Sequence, residues 1–214
     1  MKTLYLDTSS SFLYTAIIED NEILIEIKER LDKDLSVKTL SKVSGMFEIK
    51  NISPNEINKI IVVNGPGSFT GIRIGLTIAK TFAWAKKVPI IAISSIEAMA
   101  LSYDEEEANY VVPIIDARRN FVFSAIYSKE NSNFVMKEQY INLNTLEAAI
   151  DNLPGKFIYI TNDQISLNNK YVNYEPNILK IVMAVQNREP VNPHSIDANY
   201  LKLTEAEEKN DTRA

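Results

Sequence analysis

Tyr5-Leu6-Asp7, Thr8-Ser9-Ser10-Ser11 and Phe12-Leu13-Tyr14-Thr15-Ala16-Ile17 are echoed further along by Ile114-Ile115-Asp116, Ala117-Arg118-Arg119-Asn120 and Phe121-Val122-Phe123-Ser124-Ala125-Ile126. In each copy an apolar strand ends in Asp and four residues follow. An aromatic then opens a second strand that closes on a small hydroxyl residue, Ala and Ile. The two aspartates stand at positions 7 and 116 of 214, so each copy opens one half of the chain. Such a match predicts an internal duplication in which each half is one structural unit.

The residues after each copy extend the parallel. In the first half an apolar strand is expected at Ile23–Ile27, then a helix in which Leu40, Val43 and Phe47 recur at helical spacing. Ser53-Pro54-Asn55-Glu56 supplies a capping residue, a Pro at the first helical position and a Glu three residues on. A buried strand, Ile60-Ile61-Val62-Val63, and a long helix from about Phe69 to Lys87 follow. In the second half a strand is expected near Phe134–Leu143, a helix at Thr145–Leu153, a strand at Phe157–Ile160 and a helix near Ile178–Asn187. Both halves read βββαβα. Hairpin-connected strands followed by helical crossovers give a mixed sheet covered by helices, the ribonuclease H-like layout. Two such units make an α/β protein of the actin-like (ASKHA) architecture, an analogy of fold that does not settle activity. The expected division is 1–104 for a first unit carrying the pairing helices, 105–203 for a second, and 204–214 for a charged, frayed tail.

Composition sets outer limits. With 45% hydrophobic and 24% charged residues the chain reads as soluble and globular, and each half can bury a core. It has no Cys, which fits a reducing compartment. Asp7 interrupts the first apolar run, so the N-terminus does not read as a signal peptide. No apolar stretch approaches the ~20 residues of a membrane span. A net charge of −5 argues against tight nucleic-acid binding by this chain alone. Lys86-Lys87 and Arg118-Arg119 are local exceptions that read as solvated surface.

The segment Gly65-Pro66-Gly67-Ser68-Phe69-Thr70-Gly71-Ile72-Arg73-Ile74-Gly75 lies between the buried strand and the long helix. A glycine-rich turn there can turn backbone N–H groups toward an anion at a helix N-terminus. It can equally be only a tight turn with Ser68 as the cap. The Gly-Lys-Ser/Thr ending of a P-loop is missing. Within the helix, Gly71, Gly75, Ala79 and Ala83 fall four apart and form one stripe without bulky side chains. Two helical glycines cost about 1 kcal/mol each relative to Ala, so close approach of another helix is expected to compensate. That helix is either the first helix of the same chain or, as the preferred reading, a second subunit. Ile72, Ile74, Leu76, Ile78 and Phe82 are left to face the sheet.

The segment Gly65–Gly75 resembles the signature of the TsaB (YeaZ) family, together with Leu6-Asp7-Thr8-Ser9, Ser94-Ser95-Ile96-Glu97-Ala98, Asp116-Ala117-Arg118-Arg119 and Tyr200-Leu201-Lys202. That family supplies the dimerisation subunit of the bacterial machinery that attaches threonylcarbamoyl to adenosine next to the tRNA anticodon. The resemblance implies a cytoplasmic, actin-like, non-catalytic subunit that is a homodimer alone and a heterodimer with the catalytic sister subunit TsaD. The small ATPase TsaE would join that complex, tRNA would be met only within it, and the threonylcarbamoyl adenylate would come from a separate enzyme. No cofactor is implied for the isolated chain, with ATP or ADP placed at the boundary of the complex. Gly71, Gly75, Ala79, Ala83, Leu40 and Val43 would form the pairing surface, and Asp7, Thr8, Ser9 and Arg118 would be vestigial nucleotide or phosphate contacts. Two departures stand out. Asp34-Leu35-Ser36 replaces the usual His-Ser pair, and Thr161-Asn162-Asp163 stands where a glycine-flanked Asp is usual.

The residues agree with a subunit that is not the catalyst. His194 is the single His and lies beside Pro193, so the His-x-x-x-His metal motif of the sister subunit has no counterpart. A zinc hydrolase without Cys or paired His would lack the usual ligand set. The rival reading is an actin-like ATPase or phosphotransferase in which Asp7 and Asp116 hold a Mg-nucleotide. Neither hairpin turn contains glycine, and a turn Asp that bonds its own backbone is the plainer reading of both.

Overall fold

The computed structural model describes residues 1–103, 108–167 and 171–202; the tail expected from 204 on lies outside them. Ten strands and five α-helices follow one another as β1 Lys2–Asp7, β2 Phe12–Glu19, β3 Glu22–Arg30, α1 Leu35–Lys50, β4 Ile57–Val63, α2 Phe69–Lys86, β5 Ile90–Ile93, α3 Ser95–Ser102, β6 Tyr110–Asp116, β7 Phe121–Ser128, β8 Asn133–Asn142, α4 Leu143–Ile150, β9 Phe157–Ile160, β10 Tyr171–Val172 and α5 Ile178–Val185. The first sheet has the order β3-β2-β1-β4-β5 and the second β8-β7-β6-β9-β10, the same plan twice. In each, the first three strands pair antiparallel as hairpins, and the next two join parallel through crossovers. Each sheet thus has a fifth strand that the expected βββαβα count omits.

The duplicated hairpins repeat in their hydrogen bonds as well. Thr15 Oγ1 donates to the Tyr5 carbonyl at 2.7 Å, and Ser124 Oγ donates to the Pro113 carbonyl at 2.7 Å. The hydroxyl shared by both copies therefore satisfies a buried carbonyl of the sheet's first strand, in each case the one just before its cross-strand partner, with the register of the second hairpin shifted by one residue.

Alternation along β1 divides the first unit into two cores. Leu4 and Leu6 join Leu13, Ile60 and Val62 beneath α1 and α2, where Leu35, Val43, Met46, Ile72 and Leu76 close the layer. Tyr5 joins Tyr14, Ile18, Ile61 and Ile91 on the opposite face, against Ala98 of α3 and Ile178, Ile181, Val182 and Val185 of α5. The second unit buries Val112, Ile114, Val122 and Tyr159 against Leu143, Leu146 and Ile150 of α4. Short polar side chains open α2 to α5 as caps, whereas α1 starts at Asp34 without one. Ser94 accepts from the Glu97 amide at 2.9 Å to open α3, and Ser53 and Glu56 form a reciprocal capping box around a single 3₁₀ turn.

The chain divides as Met1–Asp104 with Tyr174–Ala198, and Glu105–Asn173 with Asn199–Ala214. The assignment of α5 to the second unit is therefore corrected: α5 and the segment after it pack on the first sheet. The physical reason is a set of anchors along 186–198. Lys59 Nζ donates to the Gln186 carbonyl, Arg188 forms a two-pronged pair with Glu97 at 2.9 and 2.7 Å, and Lys80 Nζ reaches the Ile196 carbonyl at 2.8 Å. Val191 bridges Ile90, the first residue of edge strand β5, and so covers part of an open edge.

Candidate functional site

The loop Asp7-Thr8-Ser9 leaves β1 into the first hairpin turn and is sealed. Asp7, Thr8 and Ser9 are 3%, 0% and 6% exposed. Asp7 Oδ1 accepts the Ser9 amide at 2.8 Å, an Asx turn. Burial pushes the Asp7 carboxyl above its usual range, and the hydrogen bonds from Ser9 oppose that shift. Thr8 Oγ1 donates to the Gly71 carbonyl at 2.7 Å, and the Ser68 amide donates to the Ser9 carbonyl at 2.7 Å. Ser95 completes the junction by donating its amide to the Gly65 carbonyl at 2.9 Å and its hydroxyl to that of Pro66.

The glycines are explained by this junction. A Cβ at Gly67 would overlap the Ser9 carbonyl, one at Gly71 the Thr8 carbonyl, and one at Gly75 the Thr8 hydroxyl. Gly71, Gly75, Ala79 and Ala83 are all buried inside the chain. The small-residue stripe is therefore not an outward pairing surface, which corrects the reading above. At Gly71 and Gly75 the missing side chains admit Thr8 of the first hairpin, and Ala79 and Ala83 join the core beneath the helix. Nor is the Gly65–Gly75 segment an open anion cradle, since the Ser68 and Gly71 amides are taken by the Ser9 carbonyl and the Ser68 hydroxyl.

The second hairpin carries the same Asp-to-amide hydrogen bond in the open. Asp116 Oδ1 accepts the Arg118 amide at 2.8 Å, while Asp116, Arg118, Arg119 and Asn120 are exposed. Arg118, Arg119 and Asn120 all have positive φ, at 67°, 56° and 62°. Asp163 Oδ2 accepts the Asp116 amide at 2.7 Å. Partial burial raises the Asp163 carboxyl, the Asp116 amide opposes this, and the Asp116 charge adds to it. Arg118 thus spends its amide on its own turn and leaves its side chain in solvent. His194 lies exposed in a surface turn, its amide donated to Asn192 Oδ1 at 2.9 Å. No group of three or more His, Cys, Asp or Glu suited to a metal ion occurs among the described residues.

An exposed apolar surface lies on the outer side of α1 and α2. Leu35 packs at the Gly71 position and the Phe47 and Phe82 rings stack 6.1 Å apart, so the two helices run side by side in one direction. Leu40 is 62% exposed and Val37 76%, and on α2 Phe69 and Trp84 are 53% and 65% exposed. The Arg73 guanidinium lies 3.7 Å from the centroid of the Phe69 ring. Val43, grouped with Leu40 in the sequence reading, instead faces the core at 3% exposure. Val37, Phe69, Arg73 and Trp84 were missed. For Val37 the signal was available: α1 has apolar residues on two faces, Leu35-Val43-Met46 and Val37-Leu40, more than one buried stripe requires. Asp34, at the departure from the usual His-Ser pair, forms a 2.6 Å ion pair with Lys38.

Two sheets of one strand order, opened by matching Asp hairpins, define a duplicated α/β protein of the actin-like fold. A family model described as "TsaD: tRNA N6-adenosine threonylcarbamoyltransferase" matches residues 29–179. The tRNA threonylcarbamoyladenosine biosynthesis protein TsaB of Bacillus subtilis is 28% identical, over 98% of this chain and 97% of its own length. Its Escherichia coli namesake is 29% identical over 62% of this chain and 57% of its own. A Pseudomonas aeruginosa crystal structure, described as similar to peptidase YeaZ, shares the fold with a TM-score of 0.76 at 19% identity, covering 94% of this chain and 99% of that one. The chain belongs to the TsaB (YeaZ) family of the TsaD-type threonylcarbamoyltransferase group.

Proposed function

We propose that this chain is a non-catalytic, cytoplasmic subunit in tRNA threonylcarbamoyladenosine biosynthesis, and that it pairs with a TsaD-type catalytic subunit through the outer face of α1 and α2. Alone it forms a homodimer through the same face. A TsaE-type small ATPase joins the complex, tRNA is met only there, and ATP or ADP binds at its boundary rather than in the isolated chain. The observation that carries the reading is the exposed Val37 and Leu40 beside Phe69 and Trp84, an apolar surface on the two helices flanking the family segment. By holding the partner's domains in a competent arrangement, the subunit would raise turnover without supplying a reacting group.

The rival ATPase or phosphotransferase reading needs Asp7 and Asp116 to reach a metal. Asp7 is closed off at 3% exposure and its Oδ1 is engaged by the Ser9 amide, which argues against it. Reconstitution with tRNA, ATP, the adenylate-forming enzyme, the TsaD-type subunit and the small ATPase separates the two. Omitting this chain or introducing Leu40→Asp is expected to abolish modification, whereas Asp7→Asn is expected to retain most of it. Full modification without the chain, or loss with Asp7→Asn while the heterodimer persists, would overturn the scaffold.

A further inference from the structure

We infer that an enclosed water molecule bridges the Tyr5 and Tyr174 hydroxyls and so fastens the returning segment, which begins at Tyr174, to the first hairpin. The inference is independent of the pairing face proposed above. Tyr5 and Asp7 stand two residues apart on one face of β1, and Tyr14 of β2 pairs across from Asp7. Tyr174 closes over this face. Its ring meets that of Tyr14 edge to face with centroids 6.0 Å apart, and it packs on the core that Tyr5 and Tyr14 build with Ala98 of α3 and Ile178 of α5. Three tyrosines and a carboxyl thus share one face of the first sheet, all within the first unit.

Their donors and acceptors do not balance without a guest. The Tyr5 and Tyr174 hydroxyl oxygens are both sealed from solvent, and the Tyr5 hydroxyl finds no hydrogen-bond partner among the described residues. A buried donor in that state has lost its hydration and gained nothing in return. Ser102 of α3 stands beside Tyr174 but gives its own proton to the Ala98 carbonyl at 2.8 Å, so toward Tyr174 it can only accept. With its proton turned to Ser102, Tyr174 keeps lone pairs for another donor. A water supplies what both hydroxyls lack: it accepts the Tyr5 proton and donates one of its own to Tyr174 Oη. The Asp7 carboxyl on the same face is an acceptor for its second proton. Burial first and the Asp7 charge second hold both phenols well above their usual range, so the bridge joins neutral hydroxyls.

The test is a crystal structure of the whole chain sharp enough to show single waters, together with thermal unfolding of Tyr5→Phe, Tyr174→Phe and the double variant. Density for one water within hydrogen-bond reach of both hydroxyls is expected. Tyr5→Phe keeps the ring and should melt about 3 °C lower, because the water and Tyr174 each lose a partner. The two losses should not add: either change breaks the bridge, so the double variant should melt close to the worse single one. A Tyr5→Phe variant that melts level with or above wild type would mean that the hydroxyl is a dry, unmet donor, and overturns the inference. So does a lack of density at that point, a Tyr5 hydroxyl bonded directly to a protein group, or losses that sum in the double variant.

Discussion

The hairpins ending in Asp7 and Asp116 share one hydrogen-bonding plan, yet one is sealed and the other open. Each Asp accepts the amide two residues on, at 2.8 Å in both, and each following strand returns a hydroxyl to a carbonyl of the first. They differ in what leans on them. Three glycines press the first turn against α2 and its approach, whereas the second is met by the Asp163 carboxylate and by Leu143 and Asn144 at the start of α4. Duplication thus yields the same Asp-to-amide hydrogen bond twice on different backbones, left-handed at Arg118–Asn120 and not at Thr8–Ser11, and the fate of each copy is set by residues far along the chain. In the first half the hairpin turn is internal packing that fixes α2. That helix in turn presents the apolar outer face.

The sharpest way to break this comparison is to restore a side chain at the contact. Gly71→Ala forces a methyl group into the Thr8 carbonyl, backbone against helix, where neither can yield cheaply. A loss of roughly 2–4 kcal/mol is expected in urea unfolding. Gly45→Ala in α1, where a Cβ meets nothing within 4 Å, is the control and should gain up to about 1 kcal/mol. If Gly71→Ala is as mild as the control, the first hairpin is not sealed by α2.

Asp7→Ala and Asp116→Ala next compare the two turns directly. Removing Asp7 leaves the Ser9 amide without its acceptor in a dry setting and should cost about 1–3 kcal/mol. Removing Asp116 exposes the Arg118 amide to water, and a change within about 0.5 kcal/mol is expected. Equal costs would mean that the two turns are equally solvated.

Charge at Asp7 gives a third contrast. Its folded-state carboxyl titrates above the ordinary 3.8, so the folded form holds its proton more tightly than the unfolded chain. Any stability linked to that proton is therefore fully present below the unfolded value. It is lost as pH rises through the folded one. Asp7→Asn keeps an oxygen for Ser9 and removes the titration. Its stability relative to wild type should rise as pH rises through the titration of the folded-state carboxyl. A difference that stays flat with pH would show that the carboxylate is not buried at a cost.

How much of this was legible follows from the range of the interactions involved. The duplication could be read because strand alternation, the Asp turn and the returning hydroxyl are all local. The fate of the small stripe on α2 could not, because Thr8, the group that fills it, lies 63 residues before Gly71 in sequence. Helical spacing reports that a face is smooth, not which neighbour needs it so. The same limit moved α5: an apolar face at Ile178, Ile181 and Val182 calls for a sheet, but the choice of the first sheet is made by Lys59, Lys80 and Glu97 gripping the segment behind it. The short strand Tyr171–Val172 has too few residues for a period to register.

The smallest effect concerns the open turn. Arg118, Arg119 and Asn120 stand in succession in the left-handed region, where an ordinary residue costs about 1–2 kcal/mol and only Asn or Gly is at ease. The turn is held there by three contacts. The Asp116 carboxylate accepts the Arg118 amide, the Phe121 amide donates to the Arg118 carbonyl at 3.0 Å, and the Leu143 amide donates to the Asn120 carbonyl at 2.9 Å. Arg119 stands between them with its side chain in solvent, so it carries strain with the least return. Arg119→Gly removes the Cβ penalty and adds unfolded-chain entropy, two terms of opposite sign, and a net gain of a few tenths to about 1 kcal/mol is expected. Asn120→Gly should gain less, because Asn already tolerates the region. A clear loss at Arg119→Gly would show that its side chain supports the open turn from the solvent side. The second hairpin would then be as built as the first, and the contrast between them would narrow to burial alone.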